Sequence, residues 1–402
     1  MVDFCALAAT FGTPFYLYDL DGALVRIRQM RDALPAGFNV FYCPKANPNA
    51  GVLCAFRDAV DGLDVSSIGE VRLAEALGYK PEAMSFAGPG KTDAELSEAI
   101  VRGVGIISIE SVGELRRLSS IARQADRRAG VTLRINPMAP MKQFAMRMGG
   151  QASPFGIPEE CAEEVLRTAL DDDAIEVLGL HVYAGTQCLD PDGIADGVRN
   201  TLSIVARLAR STGLRLQVVN VGGGIGVAHV EAEHQVDPVT VSAAIARVVA
   251  EAASEPALTG VRFVLELGRY LIGEFGTYVA KVIDVKVTRG KQFAILDGGM
   301  NHCFAATGNF GQVIKKNFRM ANLSRPTGTT GAYDVVGPLC TPLDTLGRNV
   351  PIPEVAPGDL IGIMNCGAYG LSASPVLFLG HDAPSEVIHL GGRCAVAAFR
   401  GN

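Results

Sequence analysis

Apolar residues in this chain recur with two periods. Short runs rich in Val, Ile, Phe and Tyr, namely FNVFYCPKA (38–46), GLDVSS (62–67), MSFAGP (84–89) and GIISIES (105–111), read as buried strands. VTLRINP (131–137), VLGLHVYAG (177–185), LQVVNVGGG (216–224) and RFVLELGR (262–269) bring the set to eight. Between them lie GEVRLAEALGY, DAELSEAIVRG, VGELRRLSSIARQA and VTVSAAIARVVAEAASE, each apolar along one helical face. Eight strand-and-helix units in about 240 residues have the rhythm of a closed (β/α)8 TIM barrel. A doubly wound open sheet is the alternative, because short runs do not fix strand order.

Beyond residue 272 the pattern changes. TYVAKVIDVKVTRGKQFAILDGG alternates at period two, and DVVGPLC and DLIGIMN are short strand candidates set among Gly and Pro, so this part reads as a β domain. Near the N-terminus, TPFYLYDL reads as a strand and DLDGALVRIRQMRDAL as a helix preceding the first barrel unit. The expected organisation is therefore α/β, with a barrel over 28–271 and a β-sandwich or β-barrel domain formed by 1–27 and 272–402.

Composition narrows the function classes. With 402 residues, 48% of them hydrophobic, 19% charged, and a net charge of -6, the chain reads as a soluble globular protein. It lacks the basic excess that a nucleic-acid partner requires. Nine cysteines show no metal-type spacing and read as reduced thiols of a cytoplasmic protein. The opening MVDFCALAATFG has no basic start before its apolar stretch, and no apolar run nears the length of a membrane span, so neither export nor membrane insertion is expected.

In a barrel of this kind the chemistry sits at the carboxyl ends of the strands. Lys45, Ser66, Glu110, Arg134, His181, Tyr183, the Gly222, Gly223 and Gly224 turn, Glu266 and Arg269 all fall there. Lys45 alone would read as a snorkelling side chain. Among these companions it reads as an amine of reduced proton affinity, able to form a Schiff base with an aldehyde. VGGGIG alone is a tight turn, but after the seventh strand it falls where backbone N–H groups cradle a phosphate, with Arg269 as the matching cation. A phosphate and an aldehyde together point to pyridoxal 5'-phosphate. Glu266 is then placed to keep the pyridine nitrogen protonated, strengthening the ring as an electron sink. A structural ion pair with Arg269 is its other reading.

Taken together, these residues resemble the fold type III pyridoxal-phosphate decarboxylases, the diaminopimelate and ornithine decarboxylase family, over nearly the whole chain. The resemblance rests on PKAN with Lys45, on Gly222 to Gly224, and on ELGR with Glu266, Gly268 and Arg269. Later in the chain it rests on GPLCTPLD with Cys340 and Asp344, and on CGAYG with Tyr369. It implies that Lys45 carries the cofactor and that Asp64, in DVSSIGE, borders it. Arg134 and His181 would line the cofactor, and Tyr369 would reach its phosphate. The resemblance also implies that Cys340, as proton donor, and the residue after it enter the active site of a neighbouring subunit, making an obligate homodimer; a buried free cysteine is the alternative for Cys340.

The departures bear on the substrate. HVYAGTQ puts Tyr183 where the family has a ring-stacking histidine, while Thr186 keeps a hydroxyl for phosphate; ELGR has Leu267 in place of proline. The residue after the cysteine, acidic in many members, is here Thr341. Thr341 and Asp344 are expected at the substrate, and a neutral threonine does not suit the distal ammonium of diaminopimelate, lysine or ornithine. PFGI, preceded by KQFAMRMGGQAS, resembles the secondary-metabolism branch, whose members include decarboxylases of carrier-protein-tethered or siderophore-type substrates. Lys142 and Arg147 in that insert would meet an anionic substrate or a carrier, or lie in a solvated loop. The expected function is a carboxy-lyase acting on an amino acid or an amino-acid-derived substrate. Diaminopimelate, ornithine or lysine decarboxylase, then an amino-acid racemase or a non-catalytic regulator, are the alternatives.

Overall fold

The computed structural model describes residues 2–138, 144, 146–147, 152–230, 232–310 and 315–397. Helix α1 (Phe4–Phe11), strand β1 (Phe15–Asp19) and helix α2 (Leu20–Ala33) precede the barrel. Its eight strands are β2 (Phe38–Tyr42), β3 (Gly62–Val65), β4 (Met84–Phe86), β5 (Ile106–Ile109), β6 (Ala129–Asn136), β7 (Ile175–Val182), β8 (Val218–Gly223) and β9 (Arg262–Leu267). All pair in parallel with their sequence neighbours, and β9 closes the ring on β2. The open sheet is thereby excluded.

The strands β3, β4 and β5 are buried at every position, which is why they read as unbroken apolar runs without alternation. Helices start where the sequence supplies a cap. Ser67 opens α4 (Ile68–Ala76), Thr92 opens α5 (Asp93–Arg102) in a reciprocal capping box with Glu95, and Ser111 opens α6 (Val112–Gln124), with α3 (Ala50–Phe56) before them. Then come α7 (Ala162–Leu170), α8 (Pro191–Thr212) and α9 (Pro238–Glu251).

After β9 the chain makes only a four-residue helix, Arg269–Ile272. The remaining place in the helical ring is taken by α2. Its Met30 Sδ accepts from Ser242 Oγ of α9 at 3.5 Å, and its Arg26 donates to the carbonyl oxygen of Tyr270. Helix α2 runs unbroken through residue 27 from its N-cap, Asp19.

The second sheet contains β10 (Gly276–Thr288), β11 (Lys291–Leu296), β12 (Met320–Asn322), β13 (Thr330–Val336), β14 (Thr345–Pro353), β15 (Leu360–Ile363), β16 (Ser385–Leu390) and β17 (Arg393–Val396). The N-terminal β1 lies inside it, antiparallel to β10 and parallel to β16, with Phe15 opposite both Val279 and Ser385. Its side chains Phe15, Tyr16, Leu17 and Tyr18 are at most 4% exposed, so β1 is a core strand of the C-terminal domain. One loop of this domain, carrying Gly367 and Tyr369, meets the barrel mouth at Ala46 and Asn47.

Candidate active site

Lys45 stands on a turn of 3-10 helix, Pro44–Ala46, directly after β2. That turn is held from behind. Tyr42 donates its hydroxyl to the Asn47 carbonyl, Asn47 Nδ2 donates to Gly367 O at 2.9 Å, and the Tyr369 amide donates to Ala46 O at 2.7 Å. The PKAN and GAY segments are therefore one knitted unit, with Tyr369 in the left-handed region at φ 53.

Lys45 Nζ lies 3.2 Å from Asp64 Oδ2 at the end of β3; the Asp64 side chain is fully buried and the Lys45 side chain is 41% exposed. Burial is the largest single influence and lowers the affinity of Lys45 for its proton, but Asp64, with Cys43, Glu266 and Tyr369, together outweigh it and hold the ammonium pKa well above the ordinary value. The sequence reading, an amine losing proton affinity, is corrected here: its nearest charged neighbour is an acid. Asp64 in turn is pushed up to about 6 by burial and by Glu266, against the pull of Lys45 and His181, and its Oδ1 has no partner. Glu70, on α4, accepts from the Ser66 amide at 2.6 Å, and burial pushes it up to about 7.

Glu266 is buried at the end of β9. Its Oε1 accepts from Asn220 Nδ2 at 2.5 Å and lies 3.4 Å from His181 Nε2. His181 Nδ1 is fixed by Ser108 Oγ at 2.9 Å, and burial lowers the ring's pKa to about 3, so the imidazole is neutral. No ion pair joins Glu266 to Arg269 among the described residues; the Arg269 guanidinium lies 4.6 Å from the Tyr369 ring centre instead. Arg269 Nε is buried without a hydrogen-bond partner among the described residues, and burial lowers its pKa. A half-buried guanidinium with no carboxylate against it among the described residues suits an anion.

Glycine is required at the turn after β8. A Cβ on Gly223 would lie 1.8 Å from Glu266 O, and one on Gly224 2.3 Å from Gly185 O, while Gly222 has φ +69. Gly268 is less tightly packed, its would-be Cβ 2.9 Å from that of Ala46. Tyr183 borders the same turn, and Thr186 sits beside it on a two-residue strand, Gly185–Thr186, paired with Met146–Arg147. Arg134 is paired with Glu110 at 2.8 Å and lies between the rings of Phe155 and Tyr183. Lys142 lies outside the described residues, as does the Arg147 side chain.

The structure does not bring the Cys340 segment to this cluster. No hydrogen bond or ion pair among the described residues links 340–344 to Lys45, Glu266, Arg269 or Tyr369. Cys340 is exposed and Thr341 half-buried. Asp344, expected at the substrate, is spent elsewhere: its Oδ1 accepts from the Met300 amide at 2.6 Å and its Oδ2 from the Leu339 amide at 2.8 Å, and it is 3% exposed. It shapes its own loop. Asn220 and Ser108 went unnoticed in the sequence, although a polar residue within an apolar strand run, as in VVNVGGG or IISIES, is a signal that it faces a polar barrel interior.

The family profile described as "Pyridoxal-dependent decarboxylase, pyridoxal binding domain" matches residues 22–273. The chain is 36% identical to L-glutamyl-[BtrI acyl-carrier protein] decarboxylase of Niallia circulans, covering 96% of this chain and 91% of that one. It is 32% identical to 2-[(L-alanin-3-ylcarbamoyl)methyl]-2-hydroxybutanedioate decarboxylase of Staphylococcus aureus, over 93% of each. The crystal structure of diaminopimelate decarboxylase from Helicobacter pylori complexed with L-lysine superposes with a TM-score of 0.87 at 28% identity, covering 98% of this chain and 95% of that one. Pyridoxal phosphate suits the residues present: a glycine turn, a guanidinium with no carboxylate partner among the described residues, and a lysine at the mouth.

Proposed function

Since the chain belongs to the pyridoxal-dependent decarboxylase family, we propose that its substrate is an amino acid whose distal end is neutral, as in a thioester on a carrier protein. The protein is a pyridoxal 5'-phosphate carboxy-lyase acting on an amino-acid-derived substrate. The observation that carries the narrower reading is the acid inventory of the loop at 337–344. Thr341 is neutral, and the loop's one carboxylate, Asp344, is buried with a backbone amide on each oxygen. A distal ammonium would find no partner there, at a cost of several kcal/mol. The glutamyl-carrier substrate in the name of the Niallia circulans relative supports the same reading.

In this reading Lys45 would hold the cofactor aldehyde, Glu266 would keep a proton on the ring nitrogen, and Tyr183 would pack against the ring. Arg269, Tyr369, Thr186 and the Gly222–Gly224 turn receive the phosphate. The chemistry that a bound pyridoxal phosphate would supply is an electron sink for the pair left when carbon dioxide departs from the α-carbon. The chain must then return one proton to that carbon. Lys45, kept protonated by Asp64, and Cys340 are the two donors.

Cys340 lies on the surface of its own chain, next to Leu343 at 57% exposure, and Leu377 is 90% exposed. We place both segments against a second copy, so that each site is completed by its partner. We also place the protein in the cytoplasm: its nine cysteines are all free, and no helix among the described residues is long and apolar enough to cross a membrane.

The deciding assay is carbon dioxide release from carrier-linked glutamate beside free diaminopimelate, lysine and ornithine, with Lys45→Ala as the blank. Turnover of the carrier-linked substrate above all free diamino acids is expected. Efficient turnover of free diaminopimelate would reverse the substrate assignment.

A further inference from the structure

We propose that Asn220 is a positioning residue that fixes the two ends of the cofactor pocket relative to each other. This rests on the reading of Glu266 as partner of the ring nitrogen and of Gly222–Gly224 as the phosphate turn. Asn220 is the third residue of β8 and is 3% exposed. A side-chain amide has a donor end and an acceptor end, and here each is committed to a different end of the pocket. Nδ2 donates to Glu266 Oε1 at 2.5 Å; Oδ1 accepts from the Gly222 amide at 2.9 Å.

The backbone explains why a side chain is needed at this point. The register between β8 and β9 is regular up to Asn220 opposite Val264, then shifts, so that Gly223 comes opposite Glu266. Gly222 lies within the shift, and its positive φ turns the chain out of the ladder. Asn220 captures the amide that this irregularity releases. One planar group thus spans from the carboxylate to the turn, and neither can move without the other.

The amide is also suited to its neighbour. It carries no charge and holds Glu266 in place without competing for the role of counter-cation, as a Lys or Arg would. An Asp would set two acceptors face to face. Its Oε1 also lies 3.4 Å from Nε2 of the neutral His181, itself fixed by Ser108. The Asn220 hydrogen bond is therefore the shortest contact that sets where Glu266 Oε1 lies.

Two substitutions separate the two ends. Asn220→Asp keeps an oxygen for the Gly222 amide and removes the donor to Glu266, whereas Asn220→Ala removes both. Holoenzyme spectra and kcat would be measured, together with the dissociation constants of pyridoxal 5'-phosphate and of phosphate-free pyridoxal for the apoenzyme. Asn220→Asp should keep cofactor affinity within about threefold of wild type, because the phosphate turn is still held. Its visible spectrum and kcat should move with those of Glu266→Gln, and adding Glu266→Gln should cost nothing further. Asn220→Ala should lose about tenfold in affinity for the phosphorylated cofactor and much less for pyridoxal, narrowing the preference between them. Wild-type spectrum and kcat in Asn220→Asp would overturn the proposal, as would an unchanged preference in Asn220→Ala accompanied only by lower thermal stability. Failure of the underlying reading is distinct, since Glu266→Gln itself would then leave spectrum and turnover untouched.

Discussion

The side-chain amide of Asn47 donates to the carbonyl oxygen of Gly367 at 2.9 Å, joining positions 320 residues apart. Asn47 Oδ1 also accepts from the Asn49 amide at 3.0 Å, so a single buried residue ties the lysine turn to the loop that carries Tyr369.

Asn47→Ala should therefore do two things. Leaving the Gly367 carbonyl and the Asn49 amide unpaired should lower stability by about 1–3 kcal/mol, read as an earlier midpoint in urea. Cofactor affinity should fall as well, because Lys45 and Tyr369 ride on the joined loops. An earlier midpoint with unchanged cofactor affinity would mean the join serves stability alone.

A shared site makes a mixing experiment decisive. Lys45→Ala and Cys340→Ala each damage a different half of the site in the proposed dimer. Mixing the two inactive variants with subunit exchange should restore about a quarter of wild-type turnover, since half of the dimers are mixed and each mixed dimer has one intact site. Mixtures no more active than their parents would return Cys340 to its own chain's surface.

Specificity should respond at Thr341. Thr341→Glu supplies the charge partner that the loop lacks, so turnover of lysine or diaminopimelate should rise relative to the carrier-linked substrate. The ratio of kcat/KM values is the measurement. A ratio unmoved by the new carboxylate would place position 341 away from the substrate's distal end.

Acid stability should depend on His229. Both its ring nitrogens are buried without a hydrogen-bond partner among the described residues, its ring stacks on Phe318 at 4.3 Å, and burial, then Arg269, lowers its pKa to about 3. The unfolded chain binds a proton below pH ~6.5 that the folded chain refuses, so stability is lost as pH falls through that range. His181, also near 3, acts in the same direction, while Asp64, raised to about 6, opposes them. His229→Phe keeps the stack and removes the titration. It should recover roughly 2 kcal/mol at pH 5 and little at pH 7.5, measured as apoprotein unfolding at the two values. An identical acid loss in wild type and variant would assign the effect to other groups.

The barrel was readable because its strands are buried on both faces and therefore stand out as apolar runs ended by glycine or a helix cap, as at Val65 before Ser67 and Ile109 before Ser111. The residues at the strand ends were readable for the same reason: Lys45, His181 and Glu266 are polar groups where an apolar run stops. The charge state of Lys45 was not, because Asp64 meets it only through the pairing of β2 with β3. The fate of Asp344 was likewise hidden, since its partners are two backbone amides and no side-chain pattern encodes a loop's N–H directions. Asn220 was visible as a letter but its double attachment depends on a register shift. Such shifts leave little trace beyond glycine.

The burial of β1 between β10 and β16 also has a consequence for biosynthesis. The ribosome makes β1 before the barrel, yet its two neighbours, at Gly276–Thr288 and Ser385–Leu390, follow the whole of it. Until then Phe15, Tyr16, Leu17 and Tyr18 have no sheet to enter, and α2, attached to them, already has its place on the barrel. The nascent chain must therefore carry an apolar strand, tethered to a forming barrel, through most of its own synthesis. A chain released before Ser385 would keep that strand's β16 edge open, presenting to other molecules a surface that the finished protein never shows.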